Sequence, residues 1–196
     1  MTFILGLTGS IGMGKSTTAQ MFAAAGIPVW DADATVHLLY QNNTRLITEI
    51  DALVPGAAKS GGIDRSLLKS AIARDKRLLD QIERLLAPEL HINRVAFVKQ
   101  VTADIALIDH PLLFESGTDT ACNAVLLVST DAATQRERVL ARDTISEEML
   151  ETILCKQTSD AEKRARADFI IRTTTLQIAR KGVHKIIRAI RSRQFA

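Results

Sequence analysis

The chain has 196 residues, 46% of them hydrophobic and 24% charged, with a formal net charge of +3. That length suits one domain with a real core, and the composition is that of a soluble globular protein. The basic excess is mild, and neither a long basic run nor an apolar run of the roughly 18 residues that a span needs occurs, so neither a nucleic-acid partner nor a membrane is expected.

Residues 3–7 form a short continuous apolar run, as in a strand buried on both faces of a parallel sheet. Helical composition follows over 15–25, with Gly26 placed as its stop. "IPVWDAD" reads as a second strand ending in acids, followed by a short helix over 34–40. A strand, a helix and a strand at this spacing form a βαβ unit, which implies a parallel sheet.

The character then changes. Leu, Ile and Val recur at helical spacing over 44–54, 65–73, 76–86 and 89–101, separated by the loop "PGAAKSGGID" and by a break at Pro88. This reads as a helical insertion over 42–101 on the substrate side. Strand patterns return in "ADIALID", "NAVLLVST" and "DFIIR", with a helix over 132–141, a charged stretch over 142–166 and a last helix over 176–193. Five apolar strands interspersed with helices predict a three-layer α/β sandwich.

Cys122 and Cys155 are the only cysteines and form no C-x-x-C, which excludes a cysteine zinc site or a disulfide framework and suits a reducing compartment. The start "MTFILGLTGS" lacks the basic n-region and long apolar h-region of a signal peptide. A cytoplasmic protein is expected.

Between the first strand and the first helix, "GSIGMGKS" satisfies G-x-x-x-x-G-K-[ST]. In such a loop the backbone N–H groups cradle phosphate oxygens, and the helix N-terminus adds favourable partial charge. Gly12, Met13, Gly14, Lys15, Ser16 and Thr17 are the candidate nucleotide-binding residues. Lys15 would reach the β- and γ-phosphates, and the Ser16 hydroxyl would coordinate Mg²⁺. A glycine-rich turn that binds nothing is the bland alternative, but the strand-to-helix setting favours a nucleoside triphosphate. D-x-x-G and N-K-x-D, the motifs of regulatory GTPases, do not occur. A small-molecule kinase is left as the main reading.

"GLTGSIGMGKST", "DADATVH", "DHPLLFESG", "QRERVLAR" and "ADFII", in this order and spacing, resemble the dephospho-CoA kinase family over residues 4–171. The resemblance implies a P-loop kinase fold with a mostly parallel five-stranded sheet, a helical acceptor-binding insertion over 42–101 and a helical lid over 142–166. It implies transfer of the ATP γ-phosphoryl group to the ribose 3′-hydroxyl of dephospho-CoA, with ATP and Mg²⁺ required. A monomer or weak oligomer is expected, binding only small molecules. A kinase for another nucleotide-like or small hydroxylated acceptor, or a nucleotide-dependent switch protein, stays open beside it.

By the same resemblance Asp33 is the candidate to activate the acceptor hydroxyl, with helix capping as its structural alternative and Asp31 equally suited to that role. Asp109 ends the strand "IALID" and is the candidate Mg²⁺ carboxylate. Arg138 and Arg142, one helical turn apart, match arginines that grip phosphate at the lid's entrance. Glu115 is a weaker candidate for polar contacts with the acceptor, and Gln157 matches the family's pattern in the lid. His37 reads as a surface or partly packed residue rather than one facing an anionic substrate, and Lys163, Arg164 and Arg166 read individually as surface charges. Members often carry His-Pro where this chain has Ala87-Pro88, which removes one expected acceptor contact.

Overall fold

A computed structural model describes residues 2–141 and 145–193. In chain order its elements are β1 (Phe3–Thr8), α1 (Lys15–Ala24), β2 (Val29–Asp31), α2 (Ala32–Asn42), α3 (Thr44–Leu53), β3 (Ala58–Lys59), β4 (Gly62–Ile63), α4 (Arg65–Arg74) and α5 (Arg77–Gln100). They continue as β5 (Ile105–Asp109), β6 (Ala124–Ser129), α6 (Ala132–Leu140), α7 (Glu147–Lys156), α8 (Asp160–Arg166), β7 (Phe169–Arg172) and α9 (Leu176–Arg193). They group into two compact units: residues up to Trp30 with those from Val101 onward, and Asp31–Gln100.

In the first unit the strands form a five-stranded parallel sheet in the order β2-β5-β1-β6-β7. β1 is central, with Leu7 opposite Asp109 of β5 and Thr8 opposite Leu127 of β6. Leu5, Leu7, Ile105, Leu107, Leu126 and Val128 pack with Phe22 of α1 and with Val183, Ile186, Ile187 and Ile190 of α9. The alternate residues Ile4, Ala106, Ile108, Val125 and Leu127 are buried as well, and Leu113 lies against Gly6 on that second face. Continuous apolar strands are what a sheet covered on both faces requires, and the α/β class expected from the sequence is the class observed.

The helical unit has a core of its own, in which Tyr40, Leu46, Ile50, Val54, Leu68, Ile82 and Leu86 are buried together. Side chains start its helices: Asp31 accepts from Ala34 N–H, Asn43 from Leu46 N–H, and Asp64 from Ser66 and Leu67 N–H. The unit begins at Asp31, so α2 belongs to it, whereas the expected insertion started at residue 42.

Two expectations are corrected here. Pro88 does not separate two helices, since α5 runs through it without interruption from Arg77 to Gln100. A proline inside a helix costs about 3 kcal/mol. Ile82 and Leu86 before it are buried, each such full burial being worth about 1.5–3 kcal/mol, and the partly buried Leu85 and Leu90 on either side add packing on the same core. Burial on both sides of the proline therefore outweighs the lost hydrogen bond. The stretch "PGAAKSGGID" is not plain loop either, since it contains the antiparallel β3–β4 hairpin, with Ala58 opposite Ile63.

Candidate active site

In an open parallel sheet ligands gather at the carboxyl ends of the strands. Here β1 leaves into the glycine loop, and β5, its neighbour, ends at Asp109. The loop is built by a turn in which Met13 N–H donates to Ser10 O at 3.1 Å, with Gly12 in the left-handed region at φ 78. A Cβ at Gly12 would lie 2.6 Å from Val139 Cγ2 and 2.9 Å from Gln135 O, so glycine is required by backbone angle and by space together. Gly14, at φ 85, leads into α1 without any side-chain cap, and no acidic residue occupies the first turn of that helix. The N-terminal N–H groups of α1 are thus left for an anionic partner.

The loop is anchored from three sides. Met13 is buried, its sulfur accepts from Thr130 N–H at 3.1 Å, and its carbonyl accepts from the Thr173 hydroxyl at 2.7 Å. Ile11 O accepts from Gln135 Nε2 of α6 at 2.8 Å, and Ile11 N–H donates to Gln157 Oε1 at 3.3 Å. Ser16 and Thr17 stand exposed at the start of α1.

Lys15 Nζ donates to Asp109 Oδ1 at 2.7 Å, joining the loop to the end of β5. Asp109 is only 1% exposed and Lys15 12%, so this ion pair is largely shielded from water. The register that sets Leu7 beside Asp109 makes the contact possible.

Arg138 lies on the wall of the loop, with Nη2 donating to Thr173 O at 2.7 Å and to Thr174 O at 3.3 Å. Arg142 lies outside the described residues. Asp33 belongs to the other unit, exposed in the first turn of α2. The capping role open to either aspartate falls to Asp31. His37 is exposed and pairs with Gln41, while His110 accepts from Leu112 N–H at 3.1 Å through Nδ1.

The segment 157–166 differs from expectation. Lys163, read from the sequence as a surface charge, is 0% exposed, with Nζ 3.2 Å from Glu115 Oε1. The same carboxylate oxygen accepts from Thr158 N–H at 2.8 Å. Burial alone raises the Glu115 carboxyl, but the Thr158 N–H and the Lys163 ammonium more than offset it, and the group lies below its usual range. Arg166 and Arg164 are not simple solvated charges either. Arg166 stacks over Phe114 and donates to Asp119, and Arg164 bridges Asp160 and Ser129. Glu115 is thus engaged with the segment before and within α8. A basic residue four places after the N-cap Ser159, with acids between, looks solvated in sequence; only the packing of α8 on β6 turns it inward.

The comparisons with known proteins settle the family. The dephospho-CoA kinase family profile matches residues 3–177. The chain belongs to the dephospho-CoA kinase family. It is accordingly a kinase, a transferase of phosphoryl groups. Among curated relatives, the dephospho-CoA kinase of Jannaschia sp. (strain CCS1) is 53% identical over 188 residues, covering 95% of this chain and 96% of that one. That of Cereibacter sphaeroides is 49% identical, with 96% of each chain covered. Among solved structures, TT1252 from Thermus thermophilus superposes with a TM-score of 0.83 at 30% identity, covering 96% of this chain and 97% of its own. A shikimate kinase from Acinetobacter baumannii, at TM-score 0.54 and 16% identity over 100% of this chain and 97% of that one, shares the fold. Among the described residues no helix is long and apolar enough to cross a membrane, and no group of three or more His, Cys, Asp or Glu could hold a metal ion.

Proposed function

We propose that this chain transfers the γ-phosphoryl group of ATP to the ribose 3′-hydroxyl of dephospho-CoA, giving coenzyme A and ADP, as a cytoplasmic monomer or weak oligomer that binds only small molecules. The observation that carries the reading is the glycine loop with an uncapped helix behind it and the Lys15–Asp109 pair beside it, in a chain of this family. The triphosphate would lie against the N–H groups of residues 12–17, with Lys15 moving its charge from Asp109 to the β- and γ-phosphates. Phosphoryl transfer is mostly positioning and charge stabilisation, which is what such a cradle supplies.

Ser16 and Asp109 offer a hydroxyl and a carboxylate, the hard oxygen donors that Mg²⁺ takes when phosphates complete its shell. They fit that ion, and bound there it would neutralise charge on the phosphates. Arg138, fixed beside the loop, and Arg142 would add positive charge near the γ-phosphate. Asp33 would accept the proton of the 3′-hydroxyl as its oxygen bonds to the γ-phosphorus and the bond to the β-phosphate oxygen breaks. Residues 42–101 would bind the acceptor, and 142–166 would cover the nucleotide and exclude water.

The test is an ATP-dependent assay with dephospho-CoA and a panel of other hydroxylated acceptors. Formation of coenzyme A is expected, strongly reduced in Asp33→Asn. Phosphorylation of a different acceptor in preference, or ATP hydrolysis with no acceptor phosphorylated, would overturn the reading.

A further inference from the structure

The turn Ser10–Met13 has one peptide that its own backbone does not fix. Types I and II differ by a flip of the central peptide, here the one joining Ile11 to Gly12, and glycine at the third position accepts both. The φ of 78 at Gly12 marks the type II choice. A trans peptide holds its C=O and N–H on opposite sides of one plane, so whatever fixes the Ile11 carbonyl also aims the Gly12 N–H.

Gln135 Nε2 donates to that carbonyl at 2.8 Å. The side chain is buried, and it projects from α6, whose start is capped by Asp131 through Thr134 N–H. The preceding peptide is held as well, by Ile11 N–H on Gln157 Oε1 and by Ser10 O under Met13 N–H. With its carbonyl drawn to α6, the peptide turns the Gly12 N–H away from α6.

We infer that Gln135 is a positioning residue for nucleotide phosphate, holding the Ile11–Gly12 peptide in the flip that presents the Gly12 N–H to the triphosphate. The inference rests on the reading that ATP binds in this loop. Gln135 itself touches no substrate; its amide acts through the backbone it holds. Gln157 supports the same peptide pair from the other end with an acceptor.

The test compares Gln135→Met and Gln135→Glu, neither of which offers an N–H when the glutamate is ionised, with the unaltered chain. ATP affinity is read by direct titration, the two KM values by kinetics, and the Gly12 amide by ¹⁵N NMR. A hydrogen bond to an anionic phosphate is lost when the peptide flips, so ATP should bind about tenfold more weakly. KM for dephospho-CoA should stay within about twofold, and the Gly12 amide resonance should move. Unchanged ATP affinity, an equal rise of both KM values, or loss of binding only together with the cooperative melting transition would overturn the assignment. Failure of the acceptor reading is separable, because it would show in the unaltered chain's products while its ATP titration stayed intact.

Discussion

The Lys163–Glu115 pair predicts an unequal response to loss of either partner. Glu115→Gln leaves an ammonium at 0% exposure facing a neutral amide. Removing one partner of a buried pair costs about 3–5 kcal/mol, because the charge left behind can neither hydrate nor pair. Lys163→Met keeps most of the buried stem and leaves a carboxylate that is 20% exposed and still holds Thr158 N–H. Its loss is one ion pair whose carboxylate half water still reaches, so it falls below the cost of a stranded buried charge. The double variant leaves neither charge stranded and should resemble Lys163→Met, so the second substitution stabilises the first. Urea unfolding at constant m reads each step, and together they form a double-mutant cycle. For a chain of this size Glu115→Gln should lower Tm by roughly 6–20 °C. Equal losses for the two single variants, or no recovery in the double, would refute the account of Lys163 as a buried, charge-paired anchor.

The same pair carries a pH signature. The folded Glu115 carboxyl is depressed by Thr158 and Lys163 against the opposing effect of burial, so its contribution is complete above the unfolded value of about 4.3 and is lost as pH falls through the folded one. The urea midpoint should therefore drop more steeply below about pH 4.3 in the unaltered chain than in Glu115→Gln. Asp31→Ala removes the α2 cap and should cost about 1 kcal/mol, whereas Asp33→Asn, on an exposed residue, should leave the melting temperature in place and reduce kcat about 10²–10⁴-fold. Gly12→Ala meets both a strained φ and two close atoms, so about 2–5 kcal/mol of stability should go with ATP binding, as read by thermal melting and titration. Pro88→Ala should raise stability by about 1–3 kcal/mol by restoring a donor inside α5; a fall in Tm would show that the proline serves its site.

The strands of the sheet were legible because each is a short apolar run next to a turn, a local property. The glycine loop between β1 and α1 was legible because its glycines and lysine lie together in one short stretch. Pro88 misled because local helix rules count the lost donor, whereas the apolar residues on both sides of it, Leu86 and Leu90 among them, pack on a core assembled with α2, α3 and α4. Lys163 misled for the same reason in reverse: its neighbours in sequence are charged, while its neighbours in space are Glu115 and the sheet. Gln135 lay in plain view in "QRERVLAR", yet nothing local says that an amide on a helix will meet a carbonyl 124 residues earlier.

Among the described residues, helices α2, α3, α4, α6, α7 and α8 open with an Asp, Asn or Ser whose side chain closes the first turn. α1 opens with a glycine and closes nothing. In the free protein that end forgoes the stabilisation of about a few tenths of a kcal/mol that a capping side chain would add over glycine. A nucleotide seated there would supply the missing cap itself, so part of its binding energy is folding energy deferred until it arrives. A campaign to stabilise the empty protein would find this helix end first, and each improvement there would compete with the ligand for the same N–H groups.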